Sequence, residues 1–228
     1  MDKEWSEKNK EIQRLLGKNA TYKDGIRALI GFRSVMFEQI SQIVNTYPKE
    51  VFAKVPFLGA NGYHSKTLGY SIWHIFRIED IVAHELIAED KQILFSYGYD
   101  KSIGSPIITT GNEIRDEELA DFSEKLDITE LYHYAQSVMN ATNEILERLD
   151  YPDFKRTFGE ESRQKLINSG CVSADEKASW LVDYWCGKNV LGLIRMPFSR
   201  HWIMHIEAMR RIANKLCKQA SKSSEPKS

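Results

Sequence analysis

Apolar residues recur every three or four positions through several long segments of this chain, and this spacing limits the fold more than any other feature. A period near 3.6 residues places such side chains on one helix face, which must then be buried against other helices. The long segments cover residues 22–46, 68–95, 127–149 and 197–216, and a shorter one opens at Ser173. We therefore predict an all-α fold: a four-helix bundle with an extra short helix.

The segments between and beyond these helices set the predicted domain boundaries. Residues 1–20 are predicted as an N-terminal extension, 21–217 as the bundle, and 218–228 as a disordered polar tail. Residues 97–121 contain several glycines and a proline with little periodicity, which predicts a long loop, and such loops in compact domains are often functional. The segment 154–170 has weak strand character, compatible with a short hairpin.

Charge and cysteine content exclude several classes of protein. Lys and Arg total 31 against 32 Asp and Glu, so no basic excess can neutralise a phosphate backbone, and nucleic-acid binding is not expected. The three cysteines are widely spaced without a CxxC pair, which argues against a disulfide framework or a thiolate zinc site. The N terminus lacks the apolar core of a signal peptide, and no apolar run suits a membrane span. We expect a cytoplasmic protein without membrane contact.

Three of the six histidines lie on predicted inward faces. His201 and His205 are four residues apart on the last helix, so both rings lie on one side of it, one turn apart. His74 lies on the inner stripe of the second long helix, between Ser71 and Ile78. Each ring alone could be a buried histidine bonded to a carbonyl or hydroxyl group. Three buried rings together favour a shared metal ion, because burying several unpaired polar groups is costly.

The predicted site has three protein ligands, which leaves a coordination position open for water or substrate, as in catalytic metal sites. Imidazole ligands suit Zn, Ni, Fe or Cu. Mn is a further candidate, so the pattern does not identify the divalent ion. The remaining histidines, His64, His84 and His133, fall in a loop or off the inner stripes. We predict them to be surface or locally hydrogen-bonded residues.

Two arginines near the predicted ligands could orient a substrate. Arg77 follows His74 by three residues and Arg200 directly precedes His201. A guanidinium there could bind a carboxylate or phosphate of a substrate, although such arginines more often reach the surface or pair with acids. Several aromatic and acidic neighbours are also candidates for lining a pocket or acting as general base or outer-sphere carboxylate. They are Tyr70, Trp73, Trp180, Tyr184, Trp202, Glu79, Asp80, Glu85 and Glu207.

Other catalytic motifs are missing from the sequence. The segment between His201 and His205 has no glutamate after the first histidine, so the chain has no HExxH motif, which argues against a zincin protease. Neither a Gly-rich phosphate-binding loop nor a GxSxG nucleophile elbow is present.

Two short motifs resemble the DinB/YfiT-like family of metal-binding four-helix bundles. They are SIWHIFRIED on the second long helix and PFSRHWIMHIEAMRRI on the last helix. That family carries one histidine on its second long helix and an HxxxH pair on its last, which correspond here to His74, His201 and His205. The resemblance covers roughly residues 22–216 through helix order and the long loop before the third helix. The first 20 residues, the stretch 152–175 and the tail fall outside it.

The resemblance implies a divalent metal, a bundle with a long crossover between antiparallel helix pairs, and commonly a homodimer. Several relatives are transferases that use low-molecular-weight thiols, or a thiol-dependent isomerase, and many have no known reaction. Two classes of function remain open. One is a metal-dependent transferase or hydrolase acting on a small molecule, for which the resemblance implies a thiol cosubstrate. The alternative is a non-catalytic metal- or ligand-binding stress or detoxification protein whose ion is structural.

Overall fold

The computed structural model describes residues 2–57 and 62–223, with the backbone alone at residues 63, 64, 116 and 220–223. These residues are mostly helical, and the described parts of the chain contain no β-strand, only an isolated bridge between Thr157 and Asn189. The all-α prediction is confirmed. The α-helices are α1 (Lys3–Leu16), α2 (Tyr22–Thr46), α3 (Leu68–Ile81), α4 (Ile93–Ser96), α5 (Tyr99–Ser102), α6 (Leu119–Glu124), α7 (Ile128–Arg148), α8 (Glu160–Asn168), α9 (Glu176–Cys186), α10 (Val190–Arg195) and α11 (His201–Ser223).

The helices α2, α3, α7 and α11 form the centre of the molecule. Their contacts close a ring, with α2 against α7, α7 against α3, α3 against α11, and α11 against α2. Every residue of α3 is buried, so this helix is covered on all sides. Within the described residues, no helix has both the length and the apolar character to cross a membrane.

A buried ion pair joins these four helices. The Arg33 guanidinium on α2 forms a bidentate salt bridge with Glu79 on α3, with Nη–Oε distances of 2.6 and 2.9 Å. The same guanidinium donates to Asn143 on α7 and to the carbonyl oxygen of Phe198. Trp202 on α11 donates its indole N–H to Glu79 at 2.7 Å. Both charges are fully buried, so their partners must satisfy them inside the protein.

The second long helix is shorter than predicted. The sequence predicts one helix over residues 68–95, but α3 ends at Ile81 and the chain continues as a π-helical turn, Val82–Ala88. Glu89 then takes a left-handed conformation with φ 57°, which stops the helix. The Asp80 carboxylate accepts hydrogen bonds from the backbone N–H groups of Ile93 and Leu94 at the start of α4. A buried carboxylate therefore fixes the point at which the chain turns.

The N-terminal extension predicted at residues 1–20 contains α1, which packs along α2. Trp5, Ile12 and Leu16 are buried, and the Trp5 ring meets Phe32 of α2 edge to face at 5.8 Å. The buried apolar side chains of α1 therefore cover an apolar face of α2. At the other end of the chain, α11 continues to Ser223, into the segment predicted as a disordered tail. Residues 224–228 lie outside the described part of the chain.

Three further predictions of local structure need correction. The segment compatible with a hairpin, 154–170, contains α8 instead. The helix predicted to open at Ser173 begins at Glu176, because Asp175 rather than Ser173 accepts the capping hydrogen bond from the Lys177 N–H. The long loop at 97–121 contains α5 and the start of α6, and leaves an irregular segment between them.

We expect Arg33→Met to lower the free energy of unfolding by about 3–5 kcal/mol, because it leaves the Glu79 carboxylate buried without its cation. Adding Glu79→Leu should recover part of this loss. Arg14→Met, which breaks an exposed ion pair with Glu11, should change the free energy little. Urea unfolding of the wild type, both single variants, the double variant and Arg14→Met measures the coupling between Arg33 and Glu79. If the double variant loses as much unfolding free energy as Arg33→Met and Glu79→Leu lose together, the two residues are not coupled and the prediction is wrong.

Candidate metal centre

His74, His201 and His205 come together between α3 and α11. Their ring centroids are 4.5 to 5.1 Å apart, and each side chain is at most 6% exposed. One nitrogen from each ring lies within 4.8 Å of the other two. The three residues predicted from the sequence therefore form one buried cluster.

A wide helical turn positions His201. Pro197 has no backbone N–H, and the helix around it is a π-helical turn, Met196–Arg200. The His201 N–H bonds to the Met196 carbonyl oxygen five residues back, where α11 begins. The neighbouring Trp202 donates to Glu79, which fixes the rotation of α11 relative to α3. His201 and His205 face α3 as a result.

A strap of four loop residues, 108–111, holds the His74 face of α3. Their consecutive carbonyl oxygens accept hydrogen bonds from side chains spaced at i, i+3, i+4 and i+7 along that helix, which share one face. This arrangement ties the irregular loop directly to the face of α3 that carries His74. The hydrogen bonds join Arg77 to Ile108 (2.7 and 3.0 Å), Trp73 to Thr109 (3.0 Å), His74 to Thr110 (2.8 Å) and Tyr70 to Gly111 (3.2 Å).

The Thr110 carbonyl oxygen sets the state of the His74 ring. A carbonyl oxygen only accepts, so Nδ1 of His74 carries the proton and Nε2 keeps its lone pair for a ligand. Such a bond from the second ring nitrogen is usual for metal-binding histidines. The Tyr70 ring stacks on the His74 ring at 5.3 Å and 13° between planes. Both contacts fix the orientation of the His74 ring.

Burial keeps the three imidazoles neutral. The pKa of His74 falls from 6.5 to about 4, mainly because of burial; the bond to Thr110 opposes this shift, and the positive charge of Lys66 adds to it. The pKa values of His201 and His205 lie well below 6.5, first because of burial and then because of the neighbouring rings. Neutral imidazole is the form that coordinates a metal.

These residues fit a divalent cation. The Nδ1 atom of His201 is buried and has no hydrogen-bond partner among the described residues, so this polar atom is left for a ligand. An ion bound at about 2.1 Å by each of three imidazoles separates their nitrogens by about 3.4 Å. Small side-chain rotations would bring the nitrogens, now within 4.8 Å, to that spacing.

The triad opens onto a cavity of about 430 Å³. Among the residues described, its lining includes neither a carboxylate nor a cysteine. The cluster is therefore within reach of a small molecule, although the histidines themselves are nearly buried. The other lining residues are Gly62, Ser65, Lys66, Tyr70, Ile78, Asn112, Trp180, Leu181, Tyr184, Trp185, Met196 and Pro197.

Neither candidate arginine lines this cavity. The Arg77 guanidinium is fully buried, where it bonds to the strap, Asp80, Gln92 and Tyr134. Arg200 is exposed, since it lies about 100° around the helix from His201. The structure thus gives neither arginine a direct position for orienting a substrate.

Some of the aromatic candidates line the cavity, whereas the other aromatic and the acidic candidates make contacts elsewhere in the structure. Tyr70, Trp180 and Tyr184 line the cavity. Trp73 and Trp202 point their indole N–H groups at the strap and at Glu79 instead. The four acidic candidates lie away from the cavity and bond elsewhere: Glu79 to Arg33, Asp80 to Arg77, Glu85 to Gln92 and Glu207 to the Asp2 backbone.

The remaining histidines do not join the cluster. His133 is exposed beside Glu130, as predicted. His84 is buried, contrary to a surface position, but its Nδ1 bonds locally to Asp90. The side chain of His64 lies outside the described residues. Sequence reasoning missed Lys66, Asn112 and the strap. Only their positions in the sequence could have indicated these residues. Lys66 directly precedes the residue that caps α3, and Asn112 and the strap lie in the predicted long loop.

The chain was compared with known proteins. Neither a scan against models of protein families nor a search among curated proteins gives a match. The assignment of the site therefore rests on its geometry and chemistry.

We expect Gly111→Ala to weaken metal binding about tenfold, as loss of an outer-sphere contact does. Gly111 has φ 79°, and an added Cβ would lie 3.0 Å from the Tyr70 ring, so the strap must shift near Thr110. Gly98→Ala is the matched control, with φ 74° and no neighbour within 4 Å. Competition with a chromogenic zinc chelator measures both. Equal affinities in the two variants would show that the strap does not support His74.

The metal-free protein should lose stability on acidification between pH 6.5 and about 4. His74 has a pKa of about 4 when folded against 6.5 for a free imidazole, so the unfolded chain binds the extra proton in this window. From about pH 7.5 to pH 5, His74 alone should cost about 2 kcal/mol of unfolding free energy. His74→Gln should remove this part of the pH dependence, whereas His133→Gln should not. Urea unfolding with a chelator present tests it; equal slopes for all three proteins would contradict the burial effect.

Proposed function

We propose that this chain is a metal-dependent enzyme of the DinB/YfiT-like type, with His74, His201 and His205 as ligands of one divalent ion. The observation that carries the proposal is the combination of three neutral, buried imidazoles with a cavity of about 430 Å³ beside them. A purely structural ion would be enclosed by four protein ligands, whereas three leave a position facing the cavity. The substrate would be a small molecule, since small-molecule sites have about this volume.

Each part of the site has a defined role in this proposal. A divalent ion held there would act as a Lewis acid and lower the pKa of a ligand in its open position. His74, His201 and His205 would hold the ion, and the Thr110 carbonyl oxygen would retain the proton of His74 Nδ1. The aromatic rings of Tyr70, Trp180, Tyr184 and Trp185 would exclude water around the reacting molecule.

The helix contacts support a four-helix bundle, the fold that the proposed family implies. The closed ring of α2, α7, α3 and α11 is the arrangement expected of a four-helix bundle, and a long connection separates α3 from α7. The homodimer and the thiol cosubstrate implied by the resemblance stay predictions. Zn, Ni, Fe and Mn all remain candidates for the ion.

A specific observation favours the alternative, a metal-holding binding protein. The described lining of the cavity offers no carboxylate as general base. Removing the ion distinguishes the two functions, because a structural ion contributes directly to the folding free energy. An apoprotein with an unchanged circular dichroism spectrum would favour the enzyme, and one that unfolds would favour the structural ion.

We expect His74→Ala, His201→Ala and His205→Ala each to weaken metal binding more than tenfold, since even outer-sphere changes cost about 10–100-fold. His133→Ala is the matched control because that ring is exposed and remote from the triad. His84→Ala, whose ring bonds to Asp90, should also keep the metal. Elemental analysis of each purified variant, with circular dichroism to verify folding, measures the effect. A folded His74→Ala variant with full metal content would refute the ligand assignment.

A further inference from the structure

The amide of Asn112 lines the cavity with a hydrogen-bond donor that the protein leaves unused. Its Oδ1 accepts a hydrogen bond from the Thr110 hydroxyl at 2.8 Å, which fixes the orientation of the amide. The Nδ2 atom at the other end has no hydrogen-bond partner among the described residues. The Thr110 carbonyl oxygen accepts from His74, so Thr110 contacts both a histidine of the triad and this amide.

A second unused donor is the indole N–H of Trp185, which also lines the cavity. The Trp185 side chain is 1% exposed, yet its N–H has no hydrogen-bond partner within the described part of the chain. The indoles of Trp73, Trp180 and Trp202 differ, because each donates to an oxygen atom of the protein. A buried N–H without an acceptor is costly, and a ligand with an acceptor atom would satisfy it.

A divalent ion at the triad would require the same kind of partner. Three imidazoles leave a coordination position that a lone pair from water or from a ligand fills. The described lining of the cavity contains no carboxylate that could bind the ion or the two N–H groups instead. The ion, Asn112 and Trp185 therefore all require lone pairs, and a carbonyl oxygen carries two.

The mouth of the cavity has a different chemistry. Trp180 is 49% exposed, and its ring meets the Tyr184 ring at 5.5 Å, one turn further along α9. The Trp180 indole is fixed, since its N–H donates to the Lys177 carbonyl oxygen at 2.9 Å. Both rings line the cavity. A fixed, half-exposed aromatic wall offers a flat apolar molecule a surface to stack on.

We propose that the cavity binds a planar aromatic molecule that carries a carbonyl oxygen, with Asn112 as the residue that donates to this oxygen and Trp180 as the residue on which the ring stacks. This proposal rests on the proposed function, because it takes a divalent ion at the triad as a further group that attracts the lone pairs of the oxygen. It goes further by giving the chemical class of the ligand. Aromatic ketones, aldehydes and amides share the required chemistry.

The test uses zinc-loaded protein and three fluorinated probes. The ketone para-fluoroacetophenone has the ring and the carbonyl oxygen, para-fluoroethylbenzene has the ring without the oxygen, and fluoroacetamide has the carbonyl oxygen without the ring. Zinc content is first measured for every protein, and fluorine NMR titrations then give each dissociation constant. We expect wild-type protein to bind the ketone at least about fivefold more tightly than either other probe, as one hydrogen bond or one aromatic contact provides.

Two variants remove the same hydrogen bond, but only one of them removes the donor. Asn112→Leu deletes the amide, whereas Thr110→Val deletes the hydroxyl that orients the amide and keeps the carbonyl oxygen that holds His74. Asn112→Leu should weaken binding of the ketone about fivefold and leave zinc content and binding of the ethylbenzene probe unchanged. Thr110→Val should keep most of the affinity for the ketone, because the N–H groups of Asn112 remain.

A separate pair of variants tests the aromatic wall. Trp180→Ala should weaken both aromatic probes about fivefold and leave fluoroacetamide unaffected. Tyr97→Ala is the matched control, since its ring is also exposed but does not line the cavity. Tyr97→Ala should leave the affinity for every probe unchanged. Circular dichroism verifies that each variant is folded.

The outcomes separate this inference from the proposed function. Stoichiometric zinc together with equal affinity for the ketone and the ethylbenzene probe would overturn the ligand class and leave the metal site standing. Equal losses of ketone affinity in Asn112→Leu and Thr110→Val would show that Asn112 only supports the strap, and equal effects of Trp180→Ala and Tyr97→Ala would refute the stacking. Wild-type protein that binds no zinc would overturn both proposals, and the elemental analysis shows this before any probe is added.

Discussion

The buried salt bridge between Arg33 and Glu79 sets the arrangement on which the site depends. It is the point at which α2, α3, α7 and α11 all meet, because Asn143 and Trp202 complete its hydrogen bonds. Two charges without access to water tolerate only a narrow range of helix positions, since each lost hydrogen bond leaves a desolvated group. Trp202 is adjacent to His201 in sequence, and Glu79 follows His74 by little more than one turn. The network that satisfies the ion pair therefore also fixes the distance between the two helices that carry the triad.

Loop residues provide the second support of the site. The strap 108–111 follows α3 through side chains that all lie on one face, and the deepest contact, from Arg77, is enclosed by Asp80, Gln92 and Tyr134. Burial raises the pKa of Tyr134 well above its usual range, so its hydroxyl stays protonated and donates to Asp80. Arg77 thus acts at a distance from the cavity: it anchors the loop whose Thr110 carbonyl oxygen orients His74. Its position three residues after His74 places both side chains on the face of α3 that the strap covers.

The buried polar groups around the two arginines differ from those of the histidine cluster. Those of the two arginine clusters are satisfied by one another, as buried polar groups normally are. His201 differs, because its buried Nδ1 has no hydrogen-bond partner among the described residues and lies beside a cavity. A histidine cluster held in place by satisfied neighbours, with one buried nitrogen that has no hydrogen-bond partner among the described residues, is an arrangement suited to binding a ligand.

The sequence by itself determined the helical class, the bounds of α2, the cap of α7 at Asp127, and the three histidines of the cluster. These follow from periodicity, because residues at i and i+4 on an apolar face point the same way in any helix. Only the tertiary structure decided where α3 ends, that α1 packs on α2, and that Arg77 serves the strap while Arg200 faces solvent. It also decided that Lys66, Asn112 and Thr110, far apart in sequence from His201, surround the site. Such contacts depend on how helices and loops pack against one another, and a local pattern carries no information about a partner that lies many residues away.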